Sequence, residues 1–154
     1  MDNVTFYISI ISVLMAVFSF MFSLFTYQKS VVHDRKQATL DAYNMLQEQS
    51  LDKLSSYSPV EIAEIAQSRT SEEYKTISRY IARIEHFCVG VNQNIYDKEI
   101  VYELAHGFLD GAIKKRIEPV LNRKSFNNST EDFYINTKKV FEWMENETKR
   151  RFNE

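Results

Sequence analysis

The sequence predicts an all-α protein in which one transmembrane helix leads into a cytoplasmic helical bundle. Three observations carry this. No charged side chain occurs between Asn3 and Gln28. Beyond Ser30 the apolar residues recur in steps of three and four, the spacing of one helical face. No stretch after the anchor alternates polar and apolar residues between turn residues, as a half-buried strand would.

The uncharged stretch is long enough to cross a bilayer. At a rise of 1.5 Å per residue, Asn3 to Gln28 makes about 39 Å of helix, against a hydrocarbon core of about 30 Å. Its small and hydroxylated residues fall in register. Thr5, Ser9, Ser12, Ala16, Ser19, Ser23 and Thr26 follow one another in steps of four and three, and Ser30, His33 and Gln37 continue the series. Phe6, Ile10, Ile11, Leu14, Phe18, Phe22 and Phe25 occupy the other faces. In lipid, helices associate through close packing and interhelical hydrogen bonds, so the stripe is expected to pack spans together or line a channel. Isolated hydroxyls in a span also bond back to their own turn. Asp2 precedes the segment, and Lys29, Arg35 and Lys36 follow it. Basic flanks stay in the cytoplasm, which places the rest of the chain there. The expected division is an anchor over 1–29 and a bundle over 30–154.

From Ser30 to about Leu54 there is no proline or glycine, so the anchor should run on with little break. Leu40, Tyr43, Leu51 and Leu54 share a face there, with Leu46 at its edge. Ser58-Pro59-Val60-Glu61 is a capping box with proline at the first helical position, opening a short helix to about Ala66. Thr70-Ser71-Glu72-Glu73 repeats that pattern before the best-defined core helix, with Tyr74, Ile77, Ile81, Ile84, Cys88 and Val91 inward. This helix is expected to end between Gly90 and Asn94. Asp97 caps the next one, in which Val101, Leu104, Ala105, Phe108 and Ala112 share a face and Ile113, Ile117 and Leu121 drift to a neighbouring one. Pro119 is expected to kink or end it. Arg123 to Thr130 reads as a loop. Ser129 and Asp132 are then placed to cap a last helix carrying Phe133, Val140, Phe141 and Met144 inward, with Trp143 at the border.

Composition narrows the function. A net charge of −2, from 19 basic and 21 acidic residues, supplies no field for nucleic acid as a whole, although local clusters leave that partner open. Cys88 is the only cysteine, so no internal disulfide or cysteine-based metal site is expected. His33, His86 and His106 are far apart, and no phosphate loop or dinucleotide fingerprint occurs. Neither metal nor cofactor is expected.

One constellation carries chemistry of its own. Arg79, Arg83 and His86 fall close together on the helix, facing away from the Ile77/Ile81/Ile84/Cys88 stripe. An imidazole and guanidiniums on one face can supply the acid, the base and the phosphate cation that RNA cleavage needs. A solvated basic face or a subunit contact needs no such chemistry. Glu85 borders the core stripe, and its own helix offers it no cation, so a buried carboxylate there must find partners on another helix or subunit. A structural role is expected for it.

The run from Tyr80 to Asp97, YIARIEHFCVGVNQNIYD, resembles the bacterial and prophage family known as domain of unknown function 4760. The helix from Lys98 to Arg116, Pro119 and Phe141-Glu142-Trp143-Met144 extend the resemblance. It implies a short membrane-anchored helical protein and no reaction. Asn94 stands where glycine is expected, and asparagine also accepts positive φ. The spacing of Arg79 and His86 resembles HEPN-type ribonucleases, with Tyr80 in place of the usual polar residue. The architecture is similar to the small HEPN-like membrane accessory protein of type VI-B CRISPR systems, which implies a ring-shaped pore in antiviral defence.

The expected function is that of a non-enzymatic, homo-oligomeric effector or pore in the bacterial inner membrane, acting against phage. Its partners would be lipid, copies of itself and, through the resemblance, a defence-system protein. The alternatives are a membrane-tethered ribonuclease using Arg79 and His86, and a non-catalytic anchor that recruits a partner.

Overall fold

The computed structural model describes residues 3–122 and 134–152, without the side chains of residues 3–5 and 110. All regular structure among these residues is helical. It comprises α1 (Asn3–Leu46), a π-helical turn (Gln47–Leu51), α2 (Asp52–Ser55), α3 (Pro59–Ile65), α4 (Glu72–Asn92), α5 (Lys98–Ala105), a π-helical stretch (His106–Ile113), α6 (Lys114–Leu121) and α7 (Ile135–Phe152). The chain divides into two compact units, Met1–Arg35 and Lys36–Glu154.

The first unit is the apolar part of α1. Every residue from Phe6 to Arg35 is exposed, and one 18-residue window reaches a mean hydropathy of 2.4 with none of it buried. One helix is therefore long and apolar enough to cross a membrane.

The second unit holds the core. Leu51, Leu54, Ile62, Ile77, Ile81, Ile84, Leu109, Ile113, Ile117 and Met144 are fully enclosed. Helix α4 packs against α7, and α3 against α6. The C-terminal turns of α1 join this unit through two long-range hydrogen bonds. Thr39 Oγ1 accepts from Asp97 N at 2.8 Å, and Tyr43 donates its hydroxyl proton to Leu104 O at 3.1 Å. The expected Leu40 contact is only half-buried, whereas Thr39 beside it is fully buried. Leu46, expected at the edge of that face, is buried in the core.

Local start signals fix several helices. Ser58 and Glu61 form the reciprocal capping box of α3, with Pro59 at its first position. At α4 the cap is one-sided. Ser71 accepts from Tyr74 N, and the residue that would complete the box from Ser71 is a tyrosine, which offers the cap N–H no carboxylate. Asp97 caps α5 by accepting from Glu99 N and Ile100 N. Asn94, at φ 56°, takes the left-handed turn after α4.

The main departure from the expected pattern lies in α5 and the helix that follows. Val101, Ala105, Leu109, Ile113, Ile117 and Leu121 are buried at strict four-residue intervals. In an α-helix a step of four overshoots one turn by about 40°, so such a row would wind away from the core. The wider π turn brings the row back. The same shift moves Leu104 to the surface and leaves Phe108 and Ala112 half-buried, where regular α geometry predicts a shared core face. Pro119 sits inside α6, two residues before its end at Leu121. The expected loop over 123–130, with Ser129, Asp132 and Phe133, lies outside the described residues.

Candidate functional site

The stripe along α1 is the first candidate. Ser9, Ser12, Ala16, Ser19, Ser23, Thr26, Ser30 and His33 are all exposed; Thr5 lies in the helix, with its side chain outside the described set. Hydroxyls of the stripe bond back to their own turn. Ser12 donates to Ile8 O, Ser23 to Ser19 O and Thr26 to Phe22 O, each at 2.9 Å. Ser30 donates to the Asp34 carboxylate at 3.3 Å. Back-bonding satisfies the proton, which removes the large cost of an unmet donor in hydrocarbon. The hydroxyl oxygens keep lone pairs, so the stripe can still accept bonds from a neighbouring helix or from water. At its end Lys29 Nζ folds back over the Phe25 ring, 4.9 Å from the centroid.

The second candidate is the polar face of α4. Arg79, Arg83 and His86 are exposed there. Arg83 and His86 line a groove of about 280 Å³ with Ala42, Met45, Leu46, Gln49, Phe87 and Tyr96. Arg79 is not among the groove's lining residues. Arg83 donates to Gln49 O, in the middle of the π turn, at 3.1 Å. The walls are mostly apolar, with the rings of Phe87 and Tyr96 stacked at 5.1 Å.

The third candidate is Glu85, which is half-buried. Its Oε1 accepts from Asn136 N at 3.1 Å and Asn136 Nδ2 at 2.8 Å. Its Oε2 accepts from Thr137 N at 2.8 Å and Thr137 Oγ1 at 2.7 Å. Helix α7 begins at Ile135, so these backbone donors belong to its first turn, which has no intrahelical acceptor. Glu85 caps α7 from α4, and its negative charge meets the positive end of that helix. The partners are neutral donors of the same chain and include no cation. Asn92 extends the contact by donating from Nδ2 to Asn136 Oδ1 at 3.0 Å. Beside it, burial pushes the Cys88 thiol up to about 12; a hydrogen bond with Thr137 opposes this and the Glu85 charge adds to it. Burial also raises the Tyr134 hydroxyl, with smaller pushes from Tyr74 and Glu85.

A fourth cluster has no counterpart among the expectations. Arg151 reaches Glu147, Glu99 and Glu103, each at 2.8 Å, and lies 4.1 Å from the centroid of the Tyr102 ring. Tyr102 stacks on His106 at 4.7 Å and donates to Thr148 Oγ1 at 3.0 Å. This cluster clasps α5 to the end of α7. Glu147 is an i,i+4 partner on the same helix, but Glu99 and Glu103 lie 52 and 48 positions from Arg151, beyond the reach of any spacing rule for one helix.

These geometries provide helix packing, capping and an apolar groove with a basic rim. Comparison with curated proteins and with solved structures finds no match, and nothing in it supports the HEPN-like likeness. A family model does match, over residues 7–146, and covers both α1 and the bundle. The chain belongs to the family described as domain of unknown function (DUF4760).

Proposed function

We propose that this chain is a single-span membrane protein whose bundle lies in the cytoplasm, and that several copies assemble to alter the permeability of the bilayer. The observation that carries the proposal is the exposed apolar surface of α1. Side chains from Phe6 to Tyr27 that would bury themselves in a water-soluble core are instead open, Phe18 at 71% and Tyr27 at 68%. Lipid is the solvent that such a surface fits. The stripe from Ser9 to Thr26 then supplies close approach between spans, or a polar lining. Lys29, Arg35 and Lys36 after the span favour a cytoplasmic bundle.

The bacterial inner membrane and a role against phage are the setting that the resemblance implies, and they belong to this proposal. We prefer the reaction-free reading; it is supported by the bond from Arg83 to Gln49 O and by a groove that His86 lines and Arg79 does not. The test is to purify the full chain in mild detergent, count its subunits, and measure dye release from vesicles that contain it. A defined oligomer that releases dye is the expected result. A monomer that leaves vesicles sealed overturns the proposal.

A further inference from the structure

The π-helical register exposes a second row on the face opposite the core. Glu103, Gly107, Gly111 and Lys115 are all exposed and follow one another at intervals of four, as the buried row does. Leu104 is 38% exposed beside this row, and Phe108 is half-buried. Nothing among the described residues calls for glycine at either position. Neither has positive φ, and a Cβ added to either meets, beyond its own stretch of helix, no described atom within 4 Å. Glycine weakens a helix, so two on one open face need a reason outside the monomer.

The charges identify the occupant. Glu103 and Lys115 stand at equal distances from the midpoint of the two glycines, one acidic and one basic. If a second copy lies antiparallel on this row, a two-fold axis at that midpoint sets Gly107 against Gly111 and Glu103 against Lys115 of the other copy. A parallel or shifted pairing opposes like charges or loses the glycine contact. An isologous interface requires this kind of self-complementarity. Glu103 also accepts from Arg151 at 2.8 Å, yet its side chain is 58% exposed, and a carboxylate has lone pairs to spare.

We propose that two copies of this chain pair through the Glu103–Lys115 face, antiparallel, with the glycines at the crossing. The row is only about 18 Å long, less than a stable interface between free proteins needs. The pairing therefore rests on the membrane reading above for its strength, because anchoring two copies in one bilayer raises their effective concentration. An assembly in which every bundle is paired in this way contains an even number of subunits.

The experiment uses the full chain in phosphatidylcholine vesicles, with flotation reporting membrane attachment independently. Glu103→Cys and Lys115→Cys proteins are mixed and oxidised; native Cys88 is buried, so it contributes no background. The expected result is a disulfide-linked dimer at least tenfold more abundant in the mixture than with either variant alone, since like positions stand about 18 Å apart along an antiparallel pair. Gly111→Leu, which has open space in the monomer, should abolish that crosslink without lowering the helical circular dichroism or the melting temperature, which the better helix propensity of leucine can only raise. Equal yields in single-variant samples, or no crosslink in floated vesicles, overturn the pairing. Failure to float overturns the membrane reading instead, and the same mixture at high concentration in solution then decides the pairing.

Discussion

Glu85 shows how one carboxylate can fix the relation of two helices. It satisfies two backbone N–H groups that α7 cannot satisfy itself, together with the side chains of Asn136 and Thr137. Glu85→Ala leaves these donors without their acceptor and is expected to lower stability by about 2–4 kcal/mol in chemical denaturation of the detergent-solubilised chain. Glu85→Gln turns an NH₂ group toward part of the donor set and should lose roughly half as much. Cys88 permits a pH test. Its thiol ionises near 9.0 in the unfolded chain and only at about 12 in the folded one. Between these values the unfolded state has lost a proton that the folded state retains, so stability falls as pH rises above 9.0. Cys88→Ala should flatten that alkaline slope relative to the native chain, and the native thiol should resist maleimide at neutral pH.

The elements differ in how far the sequence announces them, and the reason is the range of the forces that shape them. Ser58 with Glu61, Asp97, and the positive φ of Asn94 act within four residues, so their roles are legible in the sequence. The π stretch from His106 to Ile113 is not legible, because its buried row at intervals of four depends on packing against α7 and α2. Leu104 reads as core by spacing and is surface for that reason. Thr39 carries no apolar signal, and its burial follows from Asp97, which is 58 positions away. The exposed basic face of α4 follows from helical spacing, whereas the donors that hold Glu85 lie 51 and 52 positions from it. Gly90 is a test of close packing at the end of α4. The Tyr96 ring occupies the space of a Cβ there, with Cδ2 only 2.7 Å away, while Tyr96 also stacks on Phe87. Gly90→Ala must push the ring aside and is expected to cost about 1–3 kcal/mol, measured by thermal unfolding.

For the whole molecule, the decisive question is whether the stripe on α1 joins one chain to another. In lipid the Leu, Phe and Ile faces gain nothing by meeting each other, since hydrocarbon solvates them equally well. Association must come from the face where backbones can approach and hydroxyl oxygens can accept bonds. Ser12 and Ser23 have already given their protons to Ile8 O and Ser19 O, so a contact between copies would use their remaining lone pairs and their small volume. Replacing Ser12, Ser19 and Ser23 together by leucine keeps the segment apolar, and insertion should be undiminished in a carbonate-extraction assay. The added bulk holds neighbouring spans apart. The subunit number in mild detergent should then fall, and dye release from vesicles should fall with it. If subunit number and release both persist in the triple variant, the stripe faces lipid and assembly is driven from elsewhere in the chain.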